Sequence, residues 1–198
     1  MRSLPEGYRA LVLGASGGVG AAFVAHLQAD PRCGAVTGLH RGSDPAIDYA
    51  DERSIAQAAA ALQGAAPWHL VLVATGVLHS QGAVPEKRLA DLDGQAMAAV
   101  FRINTIGPAL VLRHFAPRLD RQRSLLAVLS AKVGSIGDNR LGGWYSYRAS
   151  KAALNMVVKT AAIELRRTHP GAVLAALDVL GAEDSGGFIA YDGQRLPW

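Results

Sequence analysis

Short apolar runs alternate with helical patterns along the whole chain, and this alternation limits the possible folds more than any other feature. The runs expected to form strands are residues 9–14, 35–40, 69–74, 124–130 and 172–177. The segments with helical spacing are residues 19–28, 52–63, 89–101, 105–119 and 144–167. Strands that are apolar throughout are typical of a parallel sheet with helices on both faces. The pattern therefore predicts an α/β fold with a doubly wound parallel sheet.

The composition is that of one globular domain. The chain has 198 residues, of which 50% are hydrophobic and 18% charged, so we expect a single domain over residues 1–198. The one cysteine, Cys33, cannot form an internal disulfide, which is typical of a reducing compartment. Residues 1–7 contain no apolar signal region, and the apolar runs are too interrupted to span a membrane. We therefore expect a cytoplasmic protein.

The charge pattern does not favour a nucleic-acid surface. The formal net charge is +4, and the basic residues are scattered apart from one cluster, Arg118, Arg121 and Arg123. Because this cluster ends a predicted helix, we interpret it as a solvated helix end rather than a nucleic-acid patch. We expect no nucleic-acid partner, no membrane association and no metal ion. A basic balance suits an anionic dinucleotide but does not demonstrate one.

A glycine-rich loop follows the first predicted strand directly and opens the first predicted helix. Its residues are Gly14, Ala15, Ser16, Gly17, Gly18, Val19 and Gly20. The glycines at 14, 18 and 20 let the backbone approach a pyrophosphate, and the helix N-terminus offers unpaired N–H groups. The spacing is G-x-x-x-G-x-G rather than the common G-x-G-x-x-G. In this strand–loop–helix context it predicts a dinucleotide-binding loop rather than a structural turn.

The usual acidic residue that binds the ribose 2′-OH is absent after the second predicted strand, where residues 40–43 read His-Arg-Gly-Ser. Arg41 could instead pair with a 2′-phosphate, which favours NADP(H) over NAD(H). The alternative is that Arg41 is an exposed loop arginine. Asp48 and Tyr49, which we expect after a further strand, are placed to contact the adenine.

Tyr147 and Lys151 lie four residues apart in the last long helical segment. That spacing places both side chains on one helix face, one turn apart. A tyrosine is a poor acid–base group near neutral pH, but a nearby ammonium favours the phenolate and lowers the phenol pKa. Tyr145 has Ala149 at the matching position, so only Tyr147 has such a partner. Together with the upstream glycine loop, the pair predicts an acid–base site.

Four motifs occur in the order found in short-chain dehydrogenases/reductases, and the sequence resembles that superfamily over nearly its whole length. They are the loop at 14–20, Val-Ala-Thr-Gly at 73–76, Asn-Thr-Ile-Gly-Pro at 104–108, and the stretch 130–151. Residues 133–139 and 142–145 resemble the C-factor-like and sniffer-like carbonyl reductases, and residues 188–198 resemble the family's last strand and tail. The resemblance implies a Rossmann-like fold and an NADP(H)-dependent oxidoreductase.

The resemblance also implies roles for individual residues. Tyr147 would donate a proton to the substrate carbonyl oxygen as hydride leaves the nicotinamide, and Lys151 would hold the nicotinamide ribose and lower the Tyr147 pKa. Asn104 would hold a water in a proton relay to Lys151, the alternative being a simple helix cap. Ala74-Thr75-Gly76 matches the family's cofactor-binding Asn-Ala-Gly turn, with its asparagine replaced by Ala74.

The serine that polarises the substrate carbonyl in this family has no unambiguous counterpart here. It is commonly the second of two adjacent serines, and this chain has Ser130 followed by Ala131. Alignment forward from the strand selects Ser130, whereas alignment back from residues 133–135 places Ala131 at that position. We choose Ser130, with Ser135 and outright loss of the serine as the alternatives.

The leading functional hypothesis is a reductase of aldehydes or ketones, and the alternative is a nucleotide-binding regulator of the same fold with little or no turnover. The sequence does not name the substrate, because variable loops determine specificity. The resemblance further implies a homodimer or homotetramer formed through the helices at 105–119 and 144–167. Apolar residues of these helices, such as Leu112, Met156 and Ala162, are candidates for the contact surface.

One expected segment is missing near the end of the chain. In the family, the strand matching residues 172–177 is followed by a Pro-Gly turn, a cofactor contact and a substrate-covering lid, but here Leu177 is followed at once by residues 178–187, which resemble the final helix and turn. We hypothesise that the printed sequence joins two pieces of the protein across a missing lid between Ala175 and Leu180. The alternative is a chain without a lid, whose site is open to water.

Overall fold

The computed structural model describes residues 1–79, 82, 84–174, 187, 194 and 197, and within them the chain forms five parallel strands joined by helices. The strands are β1 (Tyr8–Leu13), β2 (Cys33–Leu39), β3 (Leu70–Val73), β4 (Ser124–Val128) and β5 (Ala172–Leu174). The α-helices are α1 (Gly18–Ala29), α2 (Glu52–Ala61), α3 (Gly94–Phe101), α4 (Gly107–Phe115) and α5 (Tyr145–Thr168). The predicted α/β fold with a doubly wound sheet is therefore confirmed.

The strand order is β2-β1-β3-β4-β5, and every neighbouring pair is parallel. The chain leaves β1 toward β2 on one side and later crosses back to place β3 on the other side. The carboxyl ends of β1 and β3 therefore flank the point where the strand order reverses. Ligands of open α/β sheets bind in the crevice at such a point.

Side chains of the central strands alternate between the two faces of the sheet, and each face is covered. On one face, Leu11 and Val71 pack with helices α2, α4 and α5, which contribute Ile55, Phe115 and Ala162. On the other face, the buried side chains include Val12, Leu70 and Leu27, the last from α1. Strands apolar on both sides follow from this arrangement, because neither face of the sheet meets water.

Two interface expectations are wrong because the residues lie in this core. Leu112 is 4% exposed and Ala162 is fully buried, and both belong to the cluster under α4 and α5. They cannot supply contact surface to a second chain. Met156 is 67% exposed, and Ile163 of α5 and Ile106, just before α4, are also exposed.

The predicted helix at 89–101 begins later than the periodicity indicated. Leu89–Asp91 forms a separate 3₁₀ turn, and α3 starts only at Gly94. The reason is Asp93, whose carboxylate accepts a hydrogen bond from the Ala96 N–H at 2.7 Å and so caps α3. Aspartate in the same role at Asp51 accepts from the Arg53 N–H at 3.0 Å and starts α2 as predicted.

The expected break around Asn104 is a π-helical turn, Arg102–Ile106, that joins α3 to α4 without interruption. Proline has no N–H, and its ring clashes with the carbonyl four residues earlier in a regular helix. Pro108 stands in the first turn of α4, so the carbonyl of Asn104 loses its ordinary helical donor. Single π turns of this kind are frequent at functional sites.

The helical run Gly94–Arg118 is also longer and more apolar than expected. It has 25 residues and is long and apolar enough to cross a membrane, which contradicts the expectation that no segment reaches that length. Val111 and Phe115 of this run are fully buried against the sheet. Because buried core helices meet the same length and composition criteria, we interpret the run as a core helix.

Two other expectations concern the connections. No strand precedes Asp48 and Tyr49 in the described residues between Leu39 and Glu52, so that expectation is wrong and both lie in a loop. The proposed junction between Ala175 and Leu180 lies outside the described residues, as does nearly all of 188–198. The missing-lid hypothesis therefore stays a prediction.

Candidate active site

The glycine loop closes over the end of β1 and presents the start of α1. Gly14 has φ +85°, and its N–H donates to the Leu39 carbonyl at 2.8 Å. A Cβ on Gly20 would lie 2.1 Å from the Gly14 carbonyl oxygen, so Gly20 is required for the tight packing of the loop. A Cβ on Gly18 would meet nothing within 4 Å, and no side chain caps α1. The loop therefore offers open space next to unpaired helix N–H groups.

A cleft of 970 Å³ runs along the carboxyl edge of the sheet from this loop. It collects nine of the predicted cofactor residues: Gly14, Ser16, Gly17, Arg41, Asp48, Tyr49, Ala74, Thr75 and Gly76. The other six predicted cofactor residues are not on its wall: Gly18, Val19, Gly20, Asn104, Tyr147 and Lys151. The cleft is at the upper end of the size range typical of cofactor sites.

Arg41 is exposed at one end of this cleft. Its guanidinium makes no hydrogen bond or ion pair with the described residues, whereas hydrogen bonds within residues 40–43 hold the adjacent loop. The Ser43 hydroxyl accepts from the His40 N–H at 2.9 Å and donates within the same turn, and the His40 ring accepts from the Gly42 N–H. Arg41 is thus a free cation on an ordered loop.

Two buried hydroxyl groups line the same cleft and lie next to each other. They belong to Tyr49, which is 6% exposed, and Thr75. The Tyr49 ring packs so closely on Gly107 that a Cβ there would lie 2.1 Å from a ring carbon. Burial raises the Tyr49 pKa, so this side chain is a neutral phenol. Neither hydroxyl bonds to any other group of the described residues, so both can bond to the polar edge of a ligand in the cleft.

Tyr147 and Lys151 lie one turn apart on α5, as predicted, and the lysine lies next to the cleft wall. Lys151 Nζ lies 5.9 Å from the centroid of the Tyr147 ring and donates to the Leu129 carbonyl at 2.9 Å. A Cβ on Gly76, which lines the cleft, would come within 3.3 Å of that nitrogen. The absence of a side chain at Gly76 therefore leaves room for Lys151 at the cleft.

The pKa of Tyr147 is raised, which is opposite to the expected direction. The cause is burial of the half-buried phenol, which disfavours the phenolate. Burial also lowers the pKa of Lys151 to about 8. The hydrogen bond of the lysine goes to a backbone carbonyl, and burial is the cause of the raised pKa of the phenol. Tyr147 is consequently a neutral phenol near neutral pH.

Asn104 is fully buried and ties three parts of the site together. Its Oδ1 accepts from the Val77 N–H at 2.8 Å, and its Nδ2 donates to the Val77 carbonyl at 2.8 Å and to the Ser150 hydroxyl at 3.0 Å. Its side chain is therefore not a helix cap. Its Oδ1 is also 3.5 Å from the Cβ position of Gly76, next to Lys151.

The two candidate serines have different partners. Ser130 donates to Oδ1 of Asn155 at 2.6 Å, so its hydroxyl is bonded to α5 one turn beyond Lys151. Ser135 is buried; it donates to the Pro197 carbonyl at 2.7 Å and accepts from the Asp138 N–H at 3.2 Å. The hydroxyl of Ser130 therefore bonds to the side chain of Asn155. Its role in catalysis stays a prediction.

Sequence reasoning missed several residues that organise the site. Asn155 continues the Tyr147–Lys151 face by four more residues, so helical spacing could have identified it. Ser150 donates to the Tyr147 carbonyl at 2.8 Å and accepts from Asn104. Arg148 donates to the carbonyls of residues 142, 143 and 133, which fixes the approach to α5. Glu86 bonds the first turn of α5 from a distant loop, and no sequence pattern indicates that.

The fold and this arrangement of loop, cleft and Tyr–Lys pair are those of an oxidoreductase class. The sequence matches the enoyl-(acyl carrier protein) reductase family over residues 20–169. The chain therefore belongs to the short-chain dehydrogenase/reductase superfamily, whose general class is that of oxidoreductases.

Known proteins resemble this chain in sequence and in structure. The C-signal of Myxococcus xanthus is 36% identical over 139 residues, covering 56% of this chain and 83% of that relative. The carbonyl reductase Sniffer of D. melanogaster superposes with a TM-score of 0.81 at 19% identity, covering 97% and 99% of the two chains. The NADPH-bound carbonyl reductase from chicken fatty liver gives a TM-score of 0.83 at 22% identity, covering 98% and 95%. At these identities the two structures establish the shared fold.

The described residues fit a bound dinucleotide. The space beside Gly18 lies at an uncapped helix start, Arg41 is a free cation, and the buried hydroxyls of Tyr49 and Thr75 face the cleft. The described residues contain no group of three or more His, Cys, Asp or Glu placed to hold a metal ion.

Proposed function

We propose that this protein is an NADP(H)-dependent oxidoreductase that transfers hydride between the nicotinamide and a carbonyl or alcohol substrate. The observation that carries the proposal is the position of Lys151 behind Gly76, which lines the cleft. A Cβ on Gly76 would lie 3.3 Å from Lys151 Nζ, so the ammonium is next to the cleft. Tyr147 lies one helical turn away, so a proton donor stands next to a cofactor cleft. That combination is what carbonyl reduction requires.

The residues that would hold the cofactor follow the cleft. The loop Gly14–Gly20 and the start of α1 would bind the pyrophosphate, Arg41 the 2′-phosphate, and Asp48 with Tyr49 the adenine. The turn at 74–76 would border the nicotinamide half, beside Lys151. When bound in the reduced form, the cofactor supplies the hydride.

The protein's own groups would handle the proton. Tyr147 would donate its phenolic proton to the oxygen of the substrate carbonyl, and its raised pKa keeps that proton in place near neutral pH. Lys151 would hold the nicotinamide ribose and stabilise the phenolate that forms. Asn104 would keep the connection after β3 fixed through Val77. The carbonyl oxygen of Asn104, without its helical donor, would hold the relay water.

The preference for NADP(H) rests on charge. Arg41 has no partner in the described chain, and no carboxylate replaces the missing ribose-binding acid in residues 40–43. A free guanidinium binds a phosphate by paired hydrogen bonds, whereas it gains little from a ribose hydroxyl. The name of the NADPH-bound relative from chicken supports the same choice.

The test is NADPH oxidation against a panel of aldehydes and ketones, with NADPH and NADH binding measured in parallel. The proposal expects NADPH binding and turnover of at least one carbonyl compound by the purified wild type. A matched Tyr147→Phe sample shows whether that turnover belongs to this site. The absence of both binding and turnover would contradict the proposal.

A second candidate function is dinucleotide binding with little or no turnover. Its support is the serine position, since residue 131 is alanine and the Ser130 hydroxyl already bonds to Asn155. A site without a carbonyl-polarising hydroxyl loses transition-state stabilisation. Tight NADPH binding without oxidation across the panel would favour this candidate.

We also propose that the protein is cytoplasmic and forms a homodimer or homotetramer through α4 and α5. Met156 and Ile163 on α5, and Ile106 in the π-helical turn just before α4, are apolar and exposed, in place of the buried residues named from the sequence. Apolar side chains exposed along two neighbouring helices suit contact with a second copy.

A further inference from the structure

The helix that carries Tyr147 and Lys151 begins without a cap from its own sequence. α5 starts at Tyr145, and no side chain of the neighbouring residues bonds its first N–H groups. Trp144, just before it, has φ +52°, the left-handed conformation that a bulky residue rarely adopts. The first turn of a helix leaves four N–H groups to be satisfied from elsewhere.

Glu86 satisfies two of these groups from a loop that lies 60 residues earlier in the chain. Its carbonyl accepts from the Trp144 N–H at 2.5 Å, and its carboxylate accepts from the Ser146 N–H at 3.3 Å and from the Ser146 hydroxyl. Glu86 is 8% exposed, so its charge is almost fully withdrawn from water. A buried carboxylate is tolerated at a helix N-terminus because hydrogen bonds and the helix dipole compensate its charge.

The hydrogen bonds of Glu86 fix Trp144 and Ser146, which directly precede Tyr147. Ser146 is the residue directly before it, and the Trp144 ring packs edge-on against the Tyr147 ring at 6.4 Å and 71°. Lys151, one turn later, is held separately by the Leu129 carbonyl. A shift of the first turn would therefore move the phenol while leaving the ammonium in place.

The connection between β3 and Glu86 is also held at its start, where Asn104 bonds Val77. Val77 is held by both polar atoms of the Asn104 side chain, and Asn104 in turn donates to Ser150 of α5. Asn104 and Glu86 thus connect one loop to α5 at two points. Glu86 and Ser146 also line a second cavity of 280 Å³, which shares His79 with the cofactor cleft.

We propose that Glu86 is a positioning residue for the reaction: its carboxylate and carbonyl fix the start of α5 and thereby the distance between the Tyr147 phenol and Lys151. This inference rests on the proposed function. Small displacements of a reacting group are costly in rate but need not change the affinity of the bound partners. The expected signature is therefore a loss in kcat rather than in KM.

The experiment compares Glu86→Ala, Glu86→Gln and Ser146→Ala with the control Asp51→Ala. Asp51 caps α2 with its carboxylate and lines neither cavity. Glu86→Ala should lower kcat at least about tenfold, with KM and the NADPH Kd within about twofold of wild type. Glu86→Gln should recover most of the loss, because its amide oxygen can still accept from the Ser146 N–H. Ser146→Ala should give a smaller loss, and Asp51→Ala none.

Three results would overturn the inference: an unchanged kcat in Glu86→Ala, a raised KM at unchanged kcat, which would make Glu86 a substrate contact, or an equal loss in Asp51→Ala. If Glu86→Ala does not fold, Ser146→Ala decides by the same criteria. If the wild type shows no turnover, the proposed function fails, but amide exchange still tests Glu86. Glu86→Ala should then speed exchange at residues 144–147, and Asp51→Ala should not.

Discussion

The Lys151 ammonium lies 5.9 Å from the centroid of the Tyr147 ring, and its hydrogen bond goes to the Leu129 carbonyl instead of to the phenol. Both groups are desolvated, and burial shifts each pKa in the direction that favours the neutral form of that group. Burial raises the Tyr147 pKa above its ordinary value of 10.0 and lowers the Lys151 pKa to about 8. In the proposed carbonyl reduction, the working form of the pair has both groups protonated.

This relationship predicts the pH dependence of carbonyl reduction. Below a pH of about 8, Lys151 is charged and Tyr147 is a phenol, so kcat should be on its plateau. As pH rises through about 8, Lys151 loses its proton first and kcat should fall, while Tyr147 stays protonated. The measurement is kcat against pH at saturating NADPH, with exposed Lys87→Met as the control. A plateau that extends beyond pH 10 would contradict the prediction.

Replacing the phenol should remove turnover and leave binding intact. Tyr147→Phe keeps the ring and its edge contact with Trp144 but has no proton to donate. We expect kcat to fall at least about a hundredfold with nearly unchanged NADPH affinity. Tyr145→Phe is the matched control, because Tyr145 has an alanine where Tyr147 has Lys151. Wild-type turnover in pure Tyr147→Phe would remove Tyr147 from the mechanism.

The sequence predicted those parts of the site that depend on local spacing. The glycine loop follows a strand and opens a helix, and Tyr147 and Lys151 are one turn apart, because backbone periodicity determines both relations. The nine cleft residues meet because the ends of parallel strands share one edge. The late start of α3 at Gly94 could also have been read from its capping residue, Asp93.

Relations between distant segments were not predictable from the sequence. The direction of the Tyr147 pKa depends on how deeply the phenol is buried, which spacing does not specify. The contact of Glu86 with Ser146 joins a loop to a helix start across the fold. Leu112 and Ala162 were placed at an interface because apolar residues on a helix look alike until the core is known.

The oligomer proposal makes a prediction about the exposed face of α5. Met156 is 67% exposed, so Met156→Glu should place a charge at the expected interface without disturbing the core. We expect wild type to be dimeric or tetrameric by light scattering at micromolar concentration, and the variant to shift toward monomer. Lys87→Met, on a loop outside α4 and α5, serves as the control. A monomeric wild type would contradict the oligomer proposal directly.

Removing the free cation should change cofactor preference more than overall binding. Arg41→Ala should weaken NADPH binding at least about tenfold and NADH binding little, because only NADPH carries the 2′-phosphate. Arg53→Ala removes an equal charge from the exposed start of α2 and controls for net charge. Isothermal titration with both cofactors decides the question. Equal losses for NADPH and NADH, or an original preference for NADH, would refute the role of Arg41.

The final prediction separates cofactor binding from folding at the glycine loop. Gly18 is the first residue of α1, and a Cβ there would meet nothing within 4 Å, so the chain tolerates a side chain at this position. Aspartate in the first turn of a helix interacts favourably with the helix dipole. The melting temperature of Gly18→Asp should therefore equal or exceed that of the wild type. The same carboxylate would face the pyrophosphate and compete for the unpaired N–H groups. We therefore expect NADPH affinity to fall at least about tenfold.

Gly18→Ala is the matched control, and we expect it to fold normally with a smaller loss of NADPH affinity. Gly20→Ala should instead be destabilised, because its Cβ would lie 2.1 Å from the Gly14 carbonyl oxygen. Undiminished NADPH binding by folded Gly18→Asp would show that the cofactor does not use this loop.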